Sequence, residues 1–518
     1  MPNSSSAKFL QPLDRVALII IVILALLTGI LLWSGDRTTA KVKNFSWENQ
    51  QIGAEDTAFI LTFSRPMDHA SVEANLRLEP SLPGRISWAG RRMAYTLNAP
   101  APYGEIYQVQ LQGAHDYFKG GKHAPNQPFV GHFRSRDRAF AYIGVEGEER
   151  GRLIIYNFTQ QQKQILTPPT LTVMDFKAYP EGDRILFSAI ESTASKPTQV
   201  SSQLRQQLYT VTTGLRTQPS PNSADPAAKS LTAPVPPGKV NLLLDSRDYQ
   251  NLKFDLSPDG QTILVQRVNW QKPGDARLWK LSSAAGTQPI PLGDSTSGNF
   301  LIAPDSKSLV IAQGQGVALL PLDPASKPLD FLPKFGTVLS FARDGTQAAM
   351  VKFNTDYTRS LFIVTNQGVQ KEIFRTTGSI LNAQFSPSNQ TLYCLLTELI
   401  PGAEYQEQPY LGAINLKAAI GGTSSQNPSQ GTMKPLLLLP QQRDIQMSLS
   451  PDGLALLFDQ TSTDNKPTTT TSQGLWNDEG KTIATSKLWL LPLVTDLTAQ
   501  SKIQAEELLP GLRPRWLP

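Results

Sequence analysis

Three patterns of apolar spacing follow one another along the chain. The first is an unbroken apolar run, Val16 to Trp33, eighteen residues without a charge. A run of this length, closing on an aromatic suited to the headgroup level, predicts a transmembrane helix over 16–33, with a short tail before it (1–15) and a linker after it (34–40). A buried core helix would need surrounding apolar partners, and none lie nearby in the sequence. A cleaved signal peptide competes better, because Thr38-Thr39-Ala40 ends in a small residue, yet the run is longer than the roughly 7–15 apolar residues of such peptides. The flanking charges nearly balance, with Lys8 and Arg15 before the run and Arg37, Lys41 and Lys43 after it. Long following domains translocate largely regardless of charge, so a single pass with an exported bulk is expected.

The second pattern is alternation. Phe59, Leu61 and Phe63, then Ile86 and Trp88, then Met93, Tyr95 and Leu97, then Tyr107, Val109 and Leu111 place apolar side chains at every second position of short segments. Such segments are half-buried strands, and their spacing predicts a small β-sandwich over 41–135.

The third pattern is a phrase that returns. Phe254-Asp255-Leu256-Ser257-Pro258-Asp259-Gly260 leads into Ile263 to Val265; Met447-Ser448-Leu449-Ser450-Pro451-Asp452-Gly453 leads into Ala455 to Phe458; Gln384-Phe385-Ser386-Pro387-Ser388-Asn389 leads into Leu392 to Leu396. Pro presets φ for the first turn position, Asp bonds its own backbone, and Gly takes positive φ at no steric cost, so each copy predicts a β-hairpin. Aligned on the proline, copies stand at Pro180, Pro258, Pro304, Pro387 and Pro451, and a degenerate copy has Ala342 at the proline position. The intervals are 78, 46, 38, 45 and 64 residues. Spacing near forty is that of a four-stranded propeller blade, and the longer intervals hold low-complexity insertions. Leu512 to Pro518 reads as one more first strand, while Phe140 to Val145, Leu153 to Phe158 and Gln164 to Leu166 read as strands two to four of a blade that lacks its first. Joining them closes a ring without an unpaired edge. The predicted fold class is therefore all-β: a transmembrane helix, a sandwich, and a seven-bladed propeller over 139–518 closed by the C-terminal strand. Six blades is the alternative if the poorly patterned stretch Phe300 to Leu322 is not a full blade.

Two regions carry family resemblances. Phe63-Ser64-Arg65-Pro66-Met67-Asp68 with Ser71-Val72, Gly84-Arg85-Ile86-Ser87-Trp88, Tyr95-Thr96-Leu97 and Tyr107-Gln108-Val109 resemble the bacterial Ig-like domain of S-layer proteins, which implies a spacer or adhesion module without chemistry. The Ser-Pro-Asp-Gly hairpins, with third strands such as Leu278-Trp279-Lys280-Leu281 and Leu488-Trp489-Leu490-Leu491, resemble TolB-type, WD-repeat-like propeller repeats. Together they imply a bacterial cell-envelope protein, held in the inner (cytoplasmic) membrane with its bulk in the periplasm.

Composition narrows the chemistry. With 518 residues, 40% of them hydrophobic, the chain can bury more than one core, and 48 basic against 43 acidic residues leave a net charge of +5, too weak to argue a nucleic-acid partner. The four histidines, His69, His115, His123 and His132, all precede residue 139 at spacings that match no metal motif. Arg77, Arg85, Arg91 and Arg92 read as a solvated face, with contact to anionic lipid as the alternative. The single cysteine, Cys394, excludes an internal disulfide and reads as a small buried hydrophobe. From 139 onward there is no histidine, no Gly-x-Ser-x-Gly elbow and no Gly-rich phosphate loop, so no catalytic residue, metal or cofactor is expected there. The motif acids Asp259 and Asp452 read as turn-formers, and no hydrolase domain is expected after the last blade.

The motif turns join strands one and two of each blade, so the loops joining strands two and three lie on the opposite face. Glu191 to Gln206, Thr397 to Pro409 and Thr461 to Lys487 are such loops and flank one side of that face in a ring; Gly214 to Lys239 and Ala418 to Lys434 join strands three and four and point the other way. Trp270, Tyr405 and Trp476 lie in two-to-three loops and are the candidate binding residues, since exposed aromatics anchor partner surfaces. Solvated, unstructured decoration is the competing reading of these Ser-, Thr- and Gln-rich stretches. The expected function is a membrane-anchored, envelope-facing scaffold that offers a propeller face to a protein or glycan. The competing class is a carboxylate-based glycan hydrolase or lyase with its site in the channel.

Overall fold

The computed structural model describes residues 12–33, 39–117, 125–191, 205–215, 235–284, 286–293, 298–313, 316–323, 326, 330–402, 405–421, 433–440, 442, 444–463, 475, 481–493 and 504–518. The leading apolar run forms a helix, Pro12–Trp33, whose described side chains, 16–30, are all exposed. Among the described residues no helix is long and apolar enough to cross a membrane. The expected span, 16–33, rises about 27 Å at 1.5 Å per residue; the side chains of 31–33, its end, lie outside the described residues.

The alternating segments fold as two four-stranded sheets. Val42–Phe45, Ala58–Phe63, Arg92–Leu97 and Gly84–Ala89 pair in that order, and Gln51–Ile52, Phe129–Ser135, Ile106–Leu111 and Leu76–Glu79 form the second sheet. Trp47, Phe59, Met93, Val109 and Phe133 fill the space between them, with Trp47 edge-on to Phe133 at 5.0 Å. The phrase Met67-Asp68 proves to be a helix start. Asp68 caps His69–Asn75 by accepting from the Ala70 N–H, which satisfies a donor that has no partner within the helix.

Seven four-stranded sheets follow between Ala139 and Trp516, and together they form a propeller. Their first strands are Leu512–Trp516, Leu171–Ala178, Tyr249–Leu256, Phe300–Ile302, Thr337–Phe341, Ile380–Phe385 and Met447–Leu449; each touches the next in turn, and the ion pairs Arg515–Asp175 and Lys177–Asp255 close the circuit around an axis. Six of the sheets are antiparallel meanders of consecutive strands. The remaining sheet joins Leu512–Trp516 to Ala139–Ile143.

Every hairpin after a first strand uses the same two backbone bonds, and the copies that open on serine add its hydroxyl. In the third sheet Ser257 N donates to Thr262 O at 2.8 Å and Gly260 N to Ser257 O at 2.8 Å, while Ser257 Oγ donates to Asp259 Oδ1 at 2.5 Å and accepts from Thr262 N at 2.8 Å. This is a type I turn closed by a residue in the left-handed region, with Gly260 at φ +70° and, in the copies without glycine, Ser306 at +56° and Asn389 at +55°. The glycine has a second task. A Cβ on Gly260 would stand 2.9 Å from Cδ of Pro180, and one on Gly453 would stand 2.7 Å from Cδ of Pro387. Each of these motif glycines thus lies flat against the motif proline of the preceding sheet.

Closure reproduces the hairpin without its covalent turn. Leu517 N donates to Ala139 O at 3.0 Å, the bond that Ser257 makes to Thr262. Trp516 N donates to Ser448 Oγ at 3.0 Å, and the Trp516 ring, 7% exposed, packs on Phe140 and Phe158. The carboxylate of Asp459 in the last sheet accepts from Gln446 N at 2.6 Å and from Arg513 N at 2.7 Å. Burial raises the Asp459 pKa from 3.8 to about 6, against the pull of these two N–H groups and of the Arg513 charge.

Gly453→Ala is expected to cost about 1–2 kcal/mol from the left-handed backbone alone and more from the clash with Pro387. Pro387→Ala should then recover part of the loss in the Gly453→Ala background; urea unfolding of the four variants as a double-mutant cycle checks this, and strict additivity would deny the contact. For Asp459, the folded pKa lies above the unfolded one, so between about pH 4 and pH 6 the folded state holds a proton that the unfolded chain has released. Stability contributed by this group is present below pH 4 and is lost as pH rises to 6. Asp459→Asn should flatten the slope of stability against pH across that window, measured by unfolding at stepped pH.

Candidate functional site

One face of the propeller is already occupied. The sandwich docks on the motif turns: Tyr103 N donates to Asp452 Oδ2 at 3.0 Å, Arg138 lies 3.6 Å from the same oxygen, and Arg343 reaches Glu55 at 3.4 Å. Arg136, with its side chain 4% exposed, pairs with Glu55, lies 3.5 Å from Glu181 and donates to Pro180 O at 3.3 Å. Glu181 feels both effects, since burial raises its pKa while Arg136 opposes the rise. Leu82, Pro83 and Pro100 of the sandwich and Pro387, Gly453 and Leu454 of the propeller line a cleft of ≈ 430 Å³ between the two bodies. Asp259 acts as a turn-former, accepting from Ser257 Oγ and Gln261 N. Asp452 does the same with one oxygen and holds the neighbouring domain with the other.

The opposite face carries the two-to-three connections. The two ends of the stretch Thr397 to Pro409 are strand, since Thr391–Leu399 pairs with Glu407–Asn415 through Leu399 and Glu407. The ends of Thr461 to Lys487 are likewise strand, where β-branched Thr461, Thr463 and Thr485 suit a ladder despite their polar side chains. Residues 192–204, 464–474 and 476–480 lie outside the described residues, and Trp476 with them. Trp270 is half-buried rather than exposed: its indole N–H donates to Ser246 O at 3.0 Å and the Arg205 guanidinium sits 5.8 Å above its ring, so it fastens its loop to the sheet. Tyr405 is 63% exposed, with its hydroxyl 2.8 Å from Glu407 Oε1.

Two aromatics that sequence reading passed over join Tyr405 on this face. Phe353 is exposed, and Tyr357 is 91% exposed at the tip of the neighbouring hairpin. That tip is a turn of the same kind made one residue shorter: Tyr357 N donates to Asn354 O at 3.2 Å and Asn354 N to Thr358 O at 3.0 Å, with Tyr357 left-handed at φ +63° in the fourth place, as the motif glycine is. A tyrosine in the left-handed region costs of order 1 kcal/mol relative to glycine. The signal available in the sequence was Asn354-Thr355-Asp356-Tyr357, a turn phrase with an aromatic in its last place.

Around the axis, charge collects at two positions of the first strands, two and four residues before the start of each motif turn. Arg515 lies 2.9 Å and Arg513 3.8 Å from Asp175 Oδ1. Burial pushes the Asp175 carboxyl up, but Arg515, Arg513 and Lys177 outweigh it and hold the pKa below the ordinary carboxylate range. Asp255 pairs with Lys177 and accepts from Leu256 N at 2.9 Å and Ile302 N at 2.8 Å. Both acids are bound from several sides. A general acid must be able to hold a proton near working pH, and Asp175 is pushed the other way. Lys253, Asn299, Thr337 and Asn382, from four successive sheets, line a cavity of ≈ 220 Å³. Among the described residues no group of three or more His, Cys, Asp or Glu side chains could hold a metal ion.

No family model matches the chain, and no curated protein does. Solved structures similar to it include TolB from Acinetobacter baumannii, at 13% identity over 65% of this chain and 77% of that one with a TM-score of 0.36. Prolyl oligopeptidase B from Galerina marginata is similar at 9% identity, over 73% of this chain and 51% of that one, with a TM-score of 0.41. A puromycin hydrolase is similar at 13% identity, over 71% and 58%, with a TM-score of 0.39. The propeller rests on its own sheets and hydrogen bonds.

Arg136→Ala should free the sandwich from the motif turns without unfolding either body. Limited trypsin digestion is expected to cut at Arg138 several times faster in the variant, with the circular dichroism of the sheets unchanged. Equal cutting rates would mean that Arg136 does not hold the junction.

Proposed function

We propose that the chain is a membrane-anchored, envelope-facing scaffold. In this reading 16–33 tethers it as a single-pass helix, the sandwich serves as an Ig-like spacer, and a seven-bladed TolB-type propeller turns its uncovered face toward a protein or glycan in the periplasm. The anchor reading is supported by the exposure of every described side chain of the helix, Val16 to Ile30, which leaves an apolar surface that only a nonpolar medium would cover. The observation that carries the scaffold reading is the contrast between the two ends of the propeller. On the uncovered face Tyr357 is held out at a backbone cost, beside the hairpin that carries Tyr405. Strain that persists in this way is the mark of a position kept for use. The hydrolase reading has less support, because Asp175 and Asp255 are held as ion-paired carboxylates.

Tyr357→Gly separates function from stability. Glycine relieves the left-handed backbone, so the melting temperature should hold or rise, while capture of the partner from solubilised membranes by the tagged full chain should fall at least tenfold in a variant that also carries Tyr405→Ala. Unchanged capture would sink the scaffold face. Protease added to spheroplasts should cut the propeller, whereas cutting only in inverted vesicles would reverse the orientation.

A further inference from the structure

We propose that the axial cavity bounded by Lys253, Asn299, Thr337 and Asn382 binds the carboxylate of a small organic acid or of a chain terminus. Four observations converge on it. The first is unused hydrogen-bonding capacity. The Lys253 ammonium has one hydrogen-bond partner, Asn299 Oδ1 at 3.3 Å, and sits 5.4 Å over the Phe300 ring, and among the described residues no carboxylate lies within ion-pair distance of it. The acids that act on it from farther away, Asp255 and Asp175, are already taken by Lys177 and by Arg515 and Arg513. The amide of Asn382 has no hydrogen-bond partner among the described residues, and Asn299 keeps its N–H groups available. Polar groups that border a cavity need partners, and water or a ligand must supply them.

The second observation is the sign of the charge. At the two axial positions the cations are Lys177, Lys253, Arg513 and Arg515, and the acids are Asp175 and Asp255. A concave site with an excess of positive charge and low-dielectric walls concentrates anions. The third is backbone construction. Five of the seven first strands carry a register shift at this level, those supplying Lys253, Val338 and Asn382 at the cavity and those supplying Asp175 and Arg515 beside it. Bulges re-aim side chains and gather beside sites. The fourth is shape. A volume of ≈ 220 Å³ equals about seven waters at ~30 Å³ each, and Phe300, Leu301, Val310 and Leu381 form apolar walls beside the polar group. The occupant is therefore small, with an anionic head and a body of a few carbons. A carboxylate fits better than a phosphate, because one ammonium and two amides face the cavity and no guanidinium fork lines it. The cavity belongs to the axial position farther from the motif turns, so it lies toward the end that the sandwich leaves open.

Isothermal titration of the detergent-solubilised full chain tests this with pentanoate, its neutral isostere pentanamide, inorganic phosphate, and a short acetylated peptide with a free or an amidated C-terminus. Saturable one-to-one binding of pentanoate or of the free-acid peptide is expected, with none for the two amides. Lys253→Gln and, independently, Asn382→Leu should weaken it at least tenfold with the thermal unfolding curve unchanged, and Lys352→Gln should leave it alone. Tighter binding of pentanoate identifies a free acid as the source, and tighter binding of the peptide a chain terminus. The proposal is overturned if neither carboxylate binds, if phosphate alone binds, or if Lys253→Gln binds as well as the parent chain.

Discussion

A single hydrogen bond between distant parts of the chain, from Leu517 N to Ala139 O, stands for the constraint on which the propeller depends. Each of the other six sheets has its first and second strands joined by a short turn, so their pairing is local. In the sheet that closes the ring the same two strands, Ala139–Ile143 and Leu512–Trp516, stand at opposite ends of the propeller sequence. Bringing such ends together costs loop-closure entropy that grows slowly with length. Side-chain locks offset that cost: Trp516 against Phe140 and Phe158, Ser448 under the Trp516 N–H, and the buried Asp459 under the Arg513 N–H. Without them the first and last sheets would each present an open edge.

A left-handed residue in the fourth place of a turn serves opposite ends on the two faces. On the covered face the left-handed position is held by Gly182, Gly260, Gly345 and Gly453, and at Gly260 and Gly453 the missing Cβ is what lets consecutive turns stack on their prolines. On the open face the equivalent place in one hairpin is Tyr357, which makes no such contact and stands in solvent. Backbone conformation is common to both, and the residue placed in it decides whether the turn packs inward or reaches outward.

Much of this architecture was legible from the chain itself, because the Pro-Asp-Gly phrase works through local geometry. Proline, aspartate and glycine set the turn whatever surrounds them, so Ser257 to Gly260 and Ser450 to Gly453 could be placed without knowing what they pack against. The pairing of Leu512–Trp516 with Ala139–Ile143 was legible for a related reason, since an incomplete repeat at each end can be satisfied only by the other. Two things were not legible. Docking of the sandwich depends on Tyr103, Arg136 and Asp452 meeting across long sequence separations, and nothing local marks them. The axial cluster was hidden because Asp175, Lys253, Asn382 and Arg513 share only a distance from the turn, and they differ in charge and size. Trp270 misled because a tryptophan in a loop can as readily brace the loop as extend from it.

Docking also changes the topology of access. Through Arg136, Arg343 and Asp452 the sandwich touches turns of the second, fifth and seventh sheets, which stand on different sides of the axis, so it spans the mouth that they surround. A ring braced by a neighbour at one mouth has two unlike ends. At the braced end exchange with the lumen must pass the cleft between the sandwich and the turns, whereas at the opposite rim whatever binds across it meets the interior directly.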